Sequence, residues 1–236
     1  MHFLEPAYIL HYRPYRDTSL LIDFFTQEHG ILSAVSRGVR SAKSPLKGLL
    51  QPFIPLLISF SWKRELAVLT QAEMENTNHF LRGKYLFSGF YLNELLIKLL
   101  QRHDPHPELF HYYREALTEL SAQKSIEIPL RRFEKRLLIE LGYGLNLNTD
   151  AVTHEKIMPE WFYQFLPQKG FTVDFQVNLP TTARFSGKTL MALAEENFDD
   201  TMLFSEMKQL LRSSLRDLLG DKILKSRDLF SIVNKS

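Results

Sequence analysis

The chain has 236 residues, 44% of them hydrophobic and only 10 of them glycine, which suits one large folded domain or two small ones. Its 29 basic and 27 acidic residues leave a formal charge of +2, so composition announces no partner of either sign and any strongly basic surface must be local. The absence of cysteine excludes disulfides, thiolate metal sites and cysteine nucleophiles, and fits a reducing cytoplasm.

The first residues, Met1-His-Phe-Leu-Glu-Pro6, offer neither a basic nor an apolar region of the kind a secretory signal needs, so none is expected. Period-two patterning then predicts five strands: Ala7–Arg13, Thr18–Phe25, Ile31–Ser36, Ile54–Trp62 and Leu66–Met74. In the fourth, Ile54, Leu56, Ile58, Phe60 and Trp62 share one phase, which reads Trp62 as a core residue. The longest uncharged apolar stretch, Gly48 to Trp62, carries Pro52 and Pro55 and spans 15 residues, too few for a bilayer, which needs about 20. Five short strands with no helical crossover between them predict an antiparallel sheet closed into a small barrel, for which an OB-fold is the natural candidate.

From about Leu81 the period becomes 3.6. Stripes at Leu92/Leu95/Leu96/Leu99, Leu109/Tyr113/Ala116/Leu120 and Leu130/Phe133/Leu137/Leu141 predict three helices, the third opening near Pro129 and stopping at Gly142. Between Tyr143 and Arg184 periodicity fails, apart from the aromatic runs Trp161–Leu166 and Phe171–Phe175, which read as a hairpin. Helix returns over Ser186–Glu196 and Met202–Leu219. The predicted class is therefore α+β: a barrel over 1–78 and a helical domain over 79–236, with a small β-hairpin insertion at about 143–184.

Four features could carry function. The segment Arg37-Gly-Val-Arg-Ser-Ala-Lys-Ser-Pro-Leu-Lys47 holds four cations and no anion among eleven residues, in loop-forming composition between two strands. Such a run suits a solvated surface loop as well as a phosphate-binding one; its place in a barrel, and hydroxyls at Ser36, Ser41 and Ser44, favour contact with a nucleic-acid backbone. Arg13 and Arg16 in the preceding connection would extend the patch, and Tyr12, Tyr15 and Trp62 could stack on bases, although the core reading is the stronger for any one of them. The second feature is Leu130-Arg-Arg-Phe-Glu-Lys-Arg-Leu-Leu138, in which Arg131, Arg132, Lys135 and Arg136 flank an apolar stripe. It reads either as a surface helix with an internal Arg–Glu134 salt bridge or as a groove for an acidic peptide with an apolar end. The third, Ser186-Gly-Lys-Thr189, mimics the tail of a phosphate-binding loop but has Thr182 where that motif requires glycine, so Ser186 is expected to cap a helix instead. The fourth, His103, His106 and His111, lacks any thiol or carboxylate cluster beside it, and no metal site is expected. No catalytic constellation stands out.

Eight blocks, in order, resemble the RecO family of recombination mediators: Ala7-Tyr-Ile-Leu-His-Tyr-Arg-Pro-Tyr-Arg-Asp-Thr-Ser-Leu-Leu21, Phe25-Thr-Gln-Glu-His-Gly30, Arg37–Ser44 leading into Leu49-Leu-Gln-Pro-Phe53, Tyr91-Leu-Asn-Glu-Leu-Leu96, Leu109-Phe110, Leu130-Arg-Arg-Phe-Glu134, Leu141-Gly-Tyr-Gly144 and Lys225-Ser-Arg-Asp-Leu-Phe230. The resemblance implies an OB-fold followed by a helical domain, without enzymatic turnover and without cofactor. It further implies binding to single- and double-stranded DNA, strand annealing without ATP, and engagement of the acidic C-terminal tail of single-stranded DNA-binding protein (SSB). Cooperation with RecR, sometimes RecF, lets RecA load. On this reading DNA meets Arg13, Arg16, Arg37, Arg40, Lys43 and Lys47, with Lys225 and Arg227 as further contacts. The SSB tail would meet Arg131 first and Arg132 second. The location implied is the cytoplasm, at the nucleoid, with no membrane attachment. Many members of the family carry a four-cysteine zinc ribbon where this chain has Tyr143–Arg184. With no cysteine there, zinc is expected to be absent and the hairpin to be held by Trp161, Phe162, Phe165, Phe171 and Phe175. An RNA-binding OB module or a protein scaffold without annealing activity is the alternative.

Overall fold

Alternating apolar side chains over the first 74 residues close on themselves. The structure is a computed structural model that describes residues 4–63, 66–75, 80–166, 169–174, 184–226 and 228. Five strands, β1 (Glu5–Tyr15), β2 (Ser19–Thr26), β3 (Gly30–Ser36), β4 (Leu56–Lys63) and β5 (Leu66–Met74), form a closed barrel in the order β1-β2-β3-β5-β4. β1 pairs with both β2 and β4, and β3 meets β5 in parallel, so no edge is left open. This is the OB-fold-like barrel that the alternation predicts, except that the β3–β5 pair is parallel and the sheet is not antiparallel throughout. Ile9, Ile22, Phe24, Leu32, Leu56 and Ile58 point inward and are completely buried.

β1 and β2 are buried on their outer faces too. Tyr8 and Phe25, in the opposite phase, pack on Phe110 and Tyr113 of helix α2 (Pro107–Ser121), with ring centroids 5.2–5.9 Å apart. A bulge between Ile9 and His11 disturbs the β1 ladder. There Asn93, buried in helix α1 (Gly83–Leu99), donates to the carbonyls of Leu10 (2.9 Å) and Ile9 (3.3 Å) and accepts from Tyr113 Oη at 2.5 Å. One carboxamide thus joins barrel, α1 and α2. The next residue, Glu94, accepts the backbone N–H groups of Lys225 (2.9 Å) and Ser226 (2.8 Å), which ties the C-terminal segment to α1. The connection between the helices crosses the start of β3 so closely that a Cβ on Gly30 would lie 2.0 Å from the Asp104 carbonyl oxygen. Residues up to Ile126 and the segment from Lys222 make one packing unit; Glu127–Asp221 make the other.

In the second unit, helix α3 (Glu127–Glu140) packs on α5 (Phe204–Leu219), and α4 (Gly187–Glu195) precedes α5. The expected hairpin gains a third strand: β6 (Phe162–Leu166) is flanked by β7 (Gly170–Val173) and by β8 (Arg184–Ser186). Its packing also differs from the expectation. Phe165 and Phe171 pack as foreseen, as tilted rings 5.2 Å apart, but Trp161 and Phe162 are exposed by 45% and 43%, and Phe175 lies outside the described residues. Alternation along β6 turns Tyr163 inward in place of Phe162, and Phe185 joins Phe171 from β8.

The polar staple of this small sheet is Asp150, which is buried. Its Oδ1 accepts from the N–H groups of Val152 (2.7 Å) and Thr153 (2.9 Å), and its Oδ2 from Val173 (2.7 Å). Burial pushes this carboxyl up, but the donors at Thr153, Val152 and Val173, with the Thr172 side chain, outweigh it and hold the group below its usual 3.8. A depressed carboxylate adds stability above its unfolded value and loses it as pH falls through the folded one. Asp150→Ala should therefore destabilise this unit by about 3 kcal/mol at neutral pH. Chemical denaturation followed by Trp161 fluorescence should show the gap between the two proteins shrinking below pH 3.8; a pH-independent gap would contradict the assignment.

Candidate nucleic-acid interface

The basic loop begins where β3 ends, and its apolar residues decide which way its cations face. Val39 and Leu50 are buried in the barrel's core, and Leu46 and Leu49 pack against it. With those residues turned in, Arg37, Arg40, Lys43 and Lys47 are all exposed. Gly38 takes φ +68°, a turn that suits glycine, and Pro45–Lys47 wind into a short 3-10 turn.

Two hydrogen bonds join this loop to the β1–β2 turn. The Arg40 N–H donates to the Thr18 carbonyl at 2.9 Å, and its Nη1 donates to the Arg16 carbonyl at 3.3 Å. Arg16 adopts φ +52° and lies over the Tyr15 ring at 5.4 Å. Arg13 is three residues before it near the end of β1; across the sheet Pro14 faces Leu20 and Leu20 faces Ser36, the residue before Arg37. Six exposed cations, separated by up to 34 residues in sequence, therefore belong to one end of the barrel. Asp17 is the acid of the turn. Beside them opens a cavity of about 650 Å³, with Arg40 and Lys47 among its walls and Tyr12 and Phe80 as exposed rings. Phe80 was invisible to sequence reasoning, since a lone phenylalanine before a helix carries no pattern.

Trp62 departs from the core reading. The ladder slips between Ser59 and Phe60, the alternation breaks there, and Trp62 ends half exposed. Its ring meets Phe60 and His103, at 5.8 and 5.3 Å. Lys225 is exposed and anchored to α1 through Glu94, and Arg227 lies outside the described residues.

Helical phase sorts the cations of α3. Arg131 turns inward, 1% exposed, and donates from Nη2 to the buried Glu134 at 2.9 Å, with Glu127 3.8 Å from its Nε. Arg132, Lys135 and Arg136 fall at i, i+3 and i+4, one face of the helix. They converge on Glu196 at 3.4, 3.2 and 2.7 Å. Glu196 is the left-handed C-cap of α4, and Phe198 lies 5.5 Å under the Arg132 guanidinium. Three cations thus surround one carboxylate, over a phenylalanine that is itself buried.

The phosphate-loop mimic behaves as a cap. Ser186 Oγ accepts from the Thr189 N–H at 3.2 Å, and the Glu206 carboxylate takes the Ser186 N–H (2.6 Å) and hydroxyl (2.7 Å) as well as the Thr189 hydroxyl. A carboxylate thus fills the place a phosphate would need. The histidines are engaged separately: His106 faces Asp104 at 3.4 Å and His111 faces Glu115 at 3.2 Å. Among the described residues no group of three or more His, Asp or Glu is placed to hold a metal ion, and no helix is long and apolar enough to cross a membrane.

Residues 1–78 match the family model described as "Recombination protein O N terminal", and residues 82–228 match "Recombination protein O C terminal". The chain belongs to the RecO family. It is 46% identical over 227 residues to the DNA repair protein RecO of Coxiella burnetii (strain RSA 331 / Henzerling II), covering 96% of this chain and 97% of that protein. It is 41% identical over 228 residues to the DNA repair protein RecO of Actinobacillus pleuropneumoniae serotype 5b (strain L20), covering 96% and 94% of the two. The corresponding protein of Glaesserella parasuis serovar 5 (strain SH0165) is 40% identical over 230 residues, with 97% and 95% covered. The two RecO matches meet between residues 78 and 82, where the barrel gives way to α1. This is a RecO-family DNA repair protein with an OB-fold-like barrel.

Proposed function

We propose that this chain is a non-catalytic recombination mediator of the cytoplasm, working at the nucleoid. It binds single- and double-stranded DNA, anneals complementary strands and, with RecR and in some settings RecF, helps RecA load on SSB-coated single strands. The observation that carries this reading is the joining of Arg13, Arg16, Arg37, Arg40, Lys43 and Lys47 at one end of the barrel by the Arg40 hydrogen bonds to the β1–β2 turn. Cations spread along a turn and a loop suit a chain of phosphates.

The tail of SSB docks on the α3 face. Burial of Arg131 against Glu134 moves the recognition role to Arg132, with Lys135 and Arg136 beside it. An incoming tail carboxylate exchanges with Glu196 for the three cations. Docking on the tail raises the effective concentration of the barrel beside coated DNA, so modest phosphate contacts suffice to compete for strand. Lys225 and Arg227 add backbone contacts from the C-terminal segment.

Four loop cations that each neutralise one phosphate contribute about −3 to the log–log salt slope on single strands, at roughly 0.7 per contact. Replacing Arg37, Arg40, Lys43 and Lys47 together by Ala should make the slope shallower by about that amount, leaving the share of Arg13, Arg16, Lys225 and Arg227; an unchanged slope would remove the loop from the interface. For the tail, Arg132→Ala should weaken binding of an SSB C-terminal peptide about tenfold, the equivalent of one charge-assisted hydrogen bond, and leave naked-DNA affinity intact. Arg131→Ala should instead lower folding stability by about 3–5 kcal/mol, because Glu134 loses its buried counter-ion. A stable Arg131→Ala protein that fails selectively on the peptide would reverse the two roles.

A further inference from the structure

The cavity beside the basic loop has a composition that phosphate binding does not require. Its base is apolar: Phe53, buried, meets Phe90 of α1 edge-on at 5.1 Å. Gly89 lets that helix approach so closely that a Cβ there would lie 2.8 Å from the Phe53 ring. At its mouth stand two aromatic side chains that the fold leaves uncovered, Tyr12 at 43% and Phe80 at 64% exposure, and two cations, Arg40 and Lys47. Among the described residues none of its walls is acidic, and Gln51 is the side-chain amide among them.

We propose that this cavity receives an unstacked nucleobase from the bound single strand, held against Tyr12 and Phe80 while the flanking phosphates lie on Arg40 and Lys47. The inference rests on the reading of the loop as a DNA contact and adds to it the position of a base. A volume of about 650 Å³ is that of a small-molecule cleft and accommodates a base with its sugar. Charge favours a nucleic acid over an acidic peptide end. A terminal carboxylate needs one or two cations, whereas here the loop and turn that border the cavity carry further exposed cations at Arg16, Arg37 and Lys43. Every base has a stacking face, so stacking on Tyr12 and Phe80 is tolerant of sequence. A paired base cannot enter without leaving its duplex, so the cavity gives the barrel a preference for single strands that its cations alone do not supply.

The test compares the full-length protein with the Tyr12→Ala/Phe80→Ala double variant on three ligands: a thymine homopolymer, an abasic phosphodiester strand of the same length, and a duplex. Both side chains are solvent-exposed, and a Tyr12→Phe/Phe80→Tyr variant that keeps the rings controls for folding. The expected result is about a tenfold loss of homopolymer affinity in the Ala variant, no change in salt slope, no change on abasic strand or duplex, and wild-type behaviour of the ring-retaining variant. Equal loss on homopolymer and abasic strand would overturn the base site while leaving the loop as a backbone contact. So would displacement of the homopolymer by an acidic peptide with an aromatic terminus from wild type but not from the Ala variant. If the loop variant lacking its four cations also keeps full affinity and slope, the loop reading fails and the cavity assignment falls with it.

Discussion

Two carbonyls beside the bulge in β1, those of Ile9 and Leu10, are answered by one side chain, the carboxamide of Asn93. Leaving a buried carbonyl unmatched costs about 1–3 kcal/mol, so this residue sets where α1 can lie. The rest of the first unit follows from that position. Tyr113 binds the same carboxamide and brings α2 onto the outer face of β1 and β2, where Tyr8 and Phe25 fill the interval with rings. Glu94, one residue on, receives the C-terminal segment. Phe90, one turn earlier, closes the apolar base of the cavity beside the basic loop. A single polar contact therefore links the packing of the barrel to the shape of the proposed binding surface.

A net charge of +2 is compatible with a DNA-binding surface because the charges are segregated. At the loop, apolar anchors at Val39 and Leu50 point inward and force the cations outward. In the second unit cations and anions neutralise each other at close range, as with Arg131 and Glu134 or Lys208 and Glu127. The Arg132–Lys135–Arg136 face gathers three cations around the one carboxylate of Glu196. The two surfaces differ in kind. One is an extended track of separate charges, the other a focused cluster of cations around one carboxylate.

The barrel was legible because the alternate apolar residues Leu20, Ile22 and Phe24, and Ile54, Leu56, Ile58 and Phe60, do meet in one core, and the loop because four cations without an anion stand out from any background. What escaped had non-local causes. The bulge between Ser59 and Phe60 breaks the phase that placed Trp62 in the core, and such a slip leaves no mark in the local pattern. Strand β8, three residues long, is defined by its pairing with β6 some twenty residues earlier. Within Arg131-Arg132 the sequence pattern flagged both arginines, and only the packing of Glu134 showed which one turns inward. Asp150 and Phe80 carry no pattern at all; each matters through residues distant in sequence that the fold brings to it. The Ser-Gly-Lys-Thr mimic shows the converse, since Glu206 supplies the negative charge that the motif would otherwise seek in a ligand.

On the proposed function one end of the barrel, and not the helical unit, holds the single strand. Photocrosslinking a halogenated-uracil strand to the full-length protein, with the attached peptides mapped by mass spectrometry, would locate it. Crosslinks should concentrate between Tyr12 and Arg16, between Arg37 and Phe53, and at Phe80. Crosslinks confined to residues 127–221 would contradict this placement.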